Sequence, residues 1–335
     1  MVGACSEGQR EIWEITRASL DFIRDIVQIT RGGDDLIDAL IFTAALDANM
    51  TPVNRDADLQ VIYGGAEVSA PDNMRRPVSM NAVAQSLRLP FETVRRRFLG
   101  LSRAGLCVVT PQGVVVPRGA VTSSAYVAKQ RARYERIRDF YLSLRAVGAL
   151  PLGEAVQEPP TPAEPLVRAA NRALSEYTLR ACHDLLGLTG EVMSSLVLLE
   201  LVLANTRPLR TPELADWSRA PERFGRPVRI ATLAGPLRVS GETVRRHLNR
   251  LETLGFCSRT AGGMVATAPA SAWPQLARLV EINQANVQRL CARLRQLGIL
   301  VDWEALDAGA SGAAPLETIT LPSDPARRNT GGLVK

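Results

Sequence analysis

The chain has 335 residues, 46% of them apolar, 22% charged and only 5% aromatic, with a net charge of +6 at neutral pH. That length supports two mainly aliphatic cores and the composition excludes a disordered polymer, while the basic balance favours an anionic partner without naming one. Five cysteines with no CxxC and two histidines, His183 and His247, exclude metal-ligand spacing and a secreted disulfide framework, so no metal and no cofactor is expected.

Of the 40 basic side chains only Lys129 and Lys335 are lysines, the bias of a GC-rich genome, which suggests a bacterial source. The N-terminal "MVGACSEGQREIWEI" has no apolar signal core, and the runs "LIDALIFTAAL" and "SSLVLLELVLA" are too short or carry charge to span a bilayer. A soluble, cytoplasmic, nucleoid-associated protein with no membrane contact is the expectation.

In chain order, Ile12, Ile15, Leu20, Ile23 and Val27 recur at helical spacing, and "RGGDD" stops that helix. A second helix, "DDLIDALIFTAALDAN", is apolar on most of its surface and is expected to be buried. A loop containing Tyr63 follows; the ring is expected to cap the core. "RPVSMNAVAQSLRL" carries a short amphipathic stripe of Met80, Val83, Ala84 and Leu87, and "RLP" makes a tight turn. The helix "FETVRRRFLGLSRAG" ends at Gly105, and "LCVVTPQGVVVP" reads as a hairpin around Pro-Gln-Gly. The long helix "SSAYVAKQRARYERIRDFYLSLRAVG" comes next. "PLGEAVQEPPTPAEP", 151–165, reads as a proline-rich linker.

The second half repeats this order. A shift of 150 aligns Arg76–Leu150 with Arg226–Leu300 without a gap, matching "ETVRR" with "ETVRR", Cys107 with Cys257, and Gly113 with Gly263. A fainter echo, shifted by 155 or 156, matches "RASLDFIRD" at Arg17 with "RALSEYTLR" at Arg172, and "LDANMTP" at Leu46 with "VLANTRP" at Val202. Trp217 lies in a loop as Tyr63 does. Ser240 stands where a helix N-cap belongs, and Pro90 occupies that place in the first half. In the second long helix, Leu276, Val280, Asn283, Val287, Leu290, Leu294 and Leu297 form a heptad seam. The first keeps the register at Tyr126, Ile137, Phe140, Leu144 and Val147 but puts Gln130 and Arg133 in it.

The fold class is therefore mainly α with small β-hairpin wings: two tandem units, each with extra N-terminal helices and a long C-terminal helix, related by a pseudo-two-fold axis. The first unit covers 1–150, with helix-turn-helix 79–104, wing 105–117 and long helix 122–148. The second covers 166–302, with helix-turn-helix 229–254, wing 255–267 and long helix 272–298. Residues 303–335 read as an unstructured tail.

Helix, helix, turn, helix and hairpin is the order of a winged helix-turn-helix. "ETVRRRFLGLSRAGL" and "ETVRRHLNRLETLGF" resemble the recognition helix and wing entry of bacterial regulators of the GntR, MarR and IclR type, over roughly forty residues in each half. The resemblance implies a helix in the major groove of double-stranded DNA and a wing on the backbone.

With Val94 and Val244 pointing inward, the helical period turns Glu92, Arg96 and Arg103, and Glu242, Arg246, Asn249 and Arg250, outward. Thr93, Thr243, Arg95 and Arg245 flank that face; Arg97 and His247 lie near the core edge. Arg96 and Arg246 are candidates for the fork onto guanine O6 and N7. Arg95 and Arg245 suit bases or phosphates, and the two threonines suit a phosphate. The glutamates can accept from cytosine or hold an arginine. Arg88 and Arg238 are phosphate candidates, as is Arg259 of the second wing; Gln112 and Gly113 form the first wing tip.

The expected function is a sequence-specific regulator of transcription, a single-chain pseudo-dimer reading two unequal half-sites. A plasmid- or phage-type replication initiator and a protein-binding scaffold are the alternatives. RNA polymerase or another regulator is a further expected partner, and the long helices are a candidate homodimer surface. With no phosphate-binding loop and no nucleophile beside a base, an enzyme is not expected. No effector pocket is legible.

Overall fold

The computed structural model describes residues 7–150, 164–210, 213, 217, 220 and 224–312, so the linker apart from Glu164 and Pro165, and the chain beyond Gly312, lie outside the described residues. Helix α1 is Glu7–Arg31 and α2 is Leu36–Asn49, started by Asp35, whose carboxylate accepts from the amides of Ile37 and Asp38. Two short helices, α3 (Thr51–Asn54) and α4 (Ala57–Ile62), occupy the loop before α5 (Met80–Ser86) and α6 (Phe91–Arg103). Strands β1 (Val108–Thr110) and β2 (Gly113–Val115) follow, then α7 (Ser124–Ala146). The second half supplies α8 (Val167–Thr189), α9 (Val192–Thr206), α10 (Ile230–Leu237), α11 (Gly241–Thr253), β3 (Cys257–Thr260), β4 (Gly263–Ala266), α12 (Trp273–Gln296) and α13 (Ile299–Gly312).

The structure is mainly helical, and each sheet is a two-stranded antiparallel hairpin. Val108 faces Val115 in one and Cys257 faces Ala266 in the other. A single bridge ties each hairpin to the segment entering the helix pair, Val78 to Val114 and Val228 to Met264. Gly113 and Gly263 sit at φ 135° and 136°, and a Cβ on either would lie 2.5 Å from the carbonyl oxygen of Val78 or Val228. Only glycine allows that approach.

A buried asparagine joins each apolar helix to its hairpin. The Asn49 amide donates to the carbonyls of Arg76 and Val114, at 2.7 and 3.0 Å, and its oxygen accepts from the Val116 amide. Asn205 does the same with Arg226, Met264 and Ala266. Asn205→Ala removes three hydrogen bonds and leaves the buried Ala266 amide without its acceptor, while the Met264 carbonyl keeps the Val228 amide. It is expected to lower stability by about 3 kcal/mol, read from urea unfolding.

The largest core is built by α1, α7, α8, α12 and α13, with Leu199 and Leu203 of α9. Phe22 stacks on Phe140 with centroids 4.1 Å apart and meets Tyr177 at 5.8 Å. The long helices α7 and α12 both pack on α1 and α8. Their seam residues Ile137, Phe140, Leu144, Val287, Leu290 and Leu294 are buried inside this chain, so these positions are closed to the second copy that the sequence reading offered them to. Val147, assigned to the seam, is exposed.

The tail expectation is corrected over 303–312. Ile299–Gly312 is helical, and Trp303 is 1% exposed, its indole donating to the Tyr134 hydroxyl at 2.9 Å. The Tyr141 hydroxyl donates to Glu304. Among the described residues no single helix is long and apolar enough to cross a membrane; α8 and α9 reach that composition only together, across a 94° bend, and both contribute to the interior.

Candidate nucleic-acid interface

Each helix pair turns through an arginine in the left-handed region, Arg88 at φ 50° and Arg238 at φ 51°. That conformation is strained for a side chain larger than glycine and persists only where the surroundings over-determine it. The Arg238 guanidinium donates to the Gly32 carbonyl at 2.8 Å, and Arg31 donates back to the carbonyls of Leu237 and Arg238. Arg88 lies 3.4 Å from His183 Nε2. These two residues anchor the turns to the helical hub, so the structure gives them a positioning role besides the phosphate contact expected from sequence.

The helices that follow are α6 and α11. Ser240 caps α11 by accepting from the Thr243 amide at 3.1 Å; Pro90 begins α6 with no side-chain cap. Val94, Phe98 and Leu101 face inward, as do Val244, Leu248 and Leu251. That fixes the rotation of the outer face. Glu92, Arg95, Arg96 and Arg103 are exposed, as are Glu242, Arg245, Arg246, Asn249 and Arg250. Thr93 and Thr243 are half-buried, the latter's hydroxyl 2.9 Å from that of Ser240.

Local ion pairs divide this face into held and open charges. Glu92 grips Arg95 at 2.6 Å, and Glu242 grips Arg245 likewise. The hydrogen bond from Arg95 holds the Glu92 carboxyl below its usual range. Both glutamates thus act as arginine holders. Arg96 makes no hydrogen bond or ion pair among the described residues. Arg246 has only a 3.4 Å approach to His247 Nε2. These two guanidiniums project from corresponding turns of the two helices. Arg250 pairs with Glu191 at 3.6 Å. At the wings, Gln112 is exposed beside the half-buried Gly113, and Arg259 reaches back to Asn249 and Glu252 at 3.3 and 3.6 Å.

Two candidates are corrected. Arg97 is turned toward the start of α2, paired with Asp35 and Asp38 at 3.2 and 3.3 Å. His247 is 3% exposed, with Nδ1 3.0 Å from Ser194 Oγ and 3.4 Å from Glu191. The helical period put both at the margin of the outer face; the packing of α2 and α9 closed over that margin.

Burial lowers the His247 pKa, opposed by Glu191 and supported by Arg246 and Arg250. The unfolded chain therefore binds the proton more readily, and folding stability falls as pH drops below the ordinary histidine value of about 6.5. His247→Gln keeps a hydrogen-bonding amide there and is expected to flatten this part of the acid-side slope, read as urea midpoints at several pH values between 5 and 7.5.

Residues 225–269 match the DeoR-like helix-turn-helix domain family. The match spans α10, α11 and the β3–β4 wing, the elements that carry Arg246. A DeoR-like helix-turn-helix is a DNA-binding module of transcription regulators, and double-stranded DNA is the partner it supports. No curated protein and no solved structure matches the chain.

Proposed function

We propose that the chain is a bacterial, sequence-specific transcriptional regulator, a non-catalytic cytoplasmic protein in which two winged helix-turn-helix units, arisen by duplication, form a single-chain pseudo-dimer reading two unequal half-sites. The observation that carries this reading is the pair of open arginines, Arg96 and Arg246, at matched positions on exposed helix faces. Guanidinium forks there suit guanine edges, while neighbouring arginines and threonines suit phosphates.

Three correspondences support the duplication and its pseudo-two-fold. Phe22 and Tyr177, matched at a shift of 155, touch each other, as residues on a symmetry axis do. Gln28 donates to the Pro236 carbonyl, and His183, its counterpart at 155, approaches the carbonyl of Ser86, the counterpart of Pro236 at 150. The Asn49 and Asn205 networks correspond bond for bond. The inequality of the half-sites rests on Leu99-Gly100 against Asn249-Arg250.

Genome-wide footprinting of the wild-type chain and the Arg96→Ala/Arg246→Ala variant tests the reading. Promoter-proximal sites lost in the variant are expected. Clustering at a replication origin would replace regulation with initiation, and no enrichment would leave a protein-binding scaffold. On a footprinted duplex, log affinity is expected to fall linearly with log salt at about 0.9 per phosphate neutralised, read by anisotropy from 50 to 300 mM salt.

A further inference from the structure

Between α1, α8, α9, α12 and the base of the second wing lies a cavity of about 240 Å³ with almost entirely apolar walls. Three of the chain's four tryptophans, Trp13, Trp217 and Trp273, line it. The Trp217 indole N–H is buried with no hydrogen-bond acceptor among the described residues. Such a donor is costly to leave unpaired.

The corresponding place in the first half is filled. There the space is about 40 Å³. Arg168 stands for Trp13, Tyr126 for Leu276, Gln130 for Val280 and Arg133 for Asn283, at the same sequence shifts that relate the two halves. Arg168 donates to the carbonyls of Ala66 and Val121, and Arg133 lies over the Tyr126 ring. The same scaffold therefore closes this space with long polar side chains in one half and lines it with apolar ones in the other. An empty apolar space forfeits dispersion contacts on every wall, so its retention beside a filled counterpart calls for an occupant.

We propose that this cavity is an effector site for a small apolar molecule, an aromatic or branched hydrocarbon skeleton bearing one hydrogen-bond acceptor that meets the Trp217 N–H. Phe256, Ala266 and Thr267 join the wing to its wall, so occupancy bears on the second DNA-contacting hairpin. The regulatory half of the proposal rests on the DNA-binding reading; the binding half does not.

The test uses the full chain without DNA, reading tryptophan fluorescence during titration with 2-acetylnaphthalene and with 2-ethylnaphthalene, which lacks the acceptor. Saturable one-to-one quenching is expected, with the acetyl compound about fivefold tighter, the worth of one ordinary hydrogen bond. Trp217→Phe should erase that preference. Leu276→Tyr/Val280→Gln, which imports the side chains of the first half, should weaken both probes at least tenfold at an unchanged unfolding midpoint. Absence of saturable quenching, as when the chain's own residues occupy the space, overturns the site. So does binding indifferent to both variants; should the double variant fail to fold, Trp217→Phe decides alone. On a footprinted duplex, saturating 2-acetylnaphthalene should change DNA affinity at least threefold. An unchanged affinity overturns the effector role. Probe binding by a chain that binds no duplex overturns the DNA reading and leaves the site standing.

Discussion

Replacing both Arg96 and Arg246 with alanine is expected to reduce binding at a footprinted site to the level of random duplex. A bidentate arginine–guanine contact contributes about 1–3 kcal/mol of discrimination, and its loss relaxes the preference for that base pair. Each single variant should therefore lose roughly 5- to 150-fold against the cognate duplex and far less against a random one. Arg96 and Arg246 lie on separate helices, α6 and α11, that pack into different cores, so the two losses should add. Arg95→Ala and Arg245→Ala provide the contrast. Those side chains are held by Glu92 and Glu242, and their removal frees a carboxylate on the same exposed helix face. They should weaken cognate and random duplexes alike. Anisotropy titration at one fixed salt concentration separates the patterns; a double variant that still tells cognate from random would sink the assignment.

Trp303→Ala is expected to destabilise the fold by about 3–5 kcal/mol, the range for truncating a fully buried tryptophan. The ring packs edge-on against Tyr134 with centroids 5.2 Å apart and shares the central core with Ile299 and Leu300. Trp303→Phe keeps most of the ring and loses the bond to the Tyr134 hydroxyl, so a loss nearer 1 kcal/mol is expected. Urea unfolding of the full chain measures both. An alanine variant as stable as wild type would mean that α13 does not dock.

Trp303 also marks where sequence reading reached its limit. The Ala- and Gly-rich stretch after it has no helical stripe, and a helix anchored by three side chains at its start leaves too few periodic positions to register. The helix-turn-helix segments were legible because their apolar spacing is regular and the same residues recur 150 positions later. The outer faces of α6 and α11 followed from the position of one valine in each. Arg97 and His247 did not, because whether a flanking position is open depends on which helix lies beside it. Asp35 and Asp38, and Ser194 and Glu191, are remote in sequence from the residues they meet. The cavity was invisible for a related reason. Trp13, Val202 and Val280 look like ordinary core residues until α1, α9 and α12 are brought together around a gap.

The crossing of α1 onto the second half has a consequence for biosynthesis. Phe22 and Ile26 on α1 belong to a core completed by Tyr177, Val287 and Leu290, and Gln28 and Arg31 await the carbonyls of Pro236 and Leu237. A ribosome adding about 5–20 residues per second needs on the order of 10 s to travel from the end of the first half to those partners. Throughout that interval α7 covers part of α1, and the apolar surface meant for the second half stays open. The nascent polypeptide must keep that surface from sticking elsewhere until those partners have emerged, and a product cut short after the first half would be open to proteolysis.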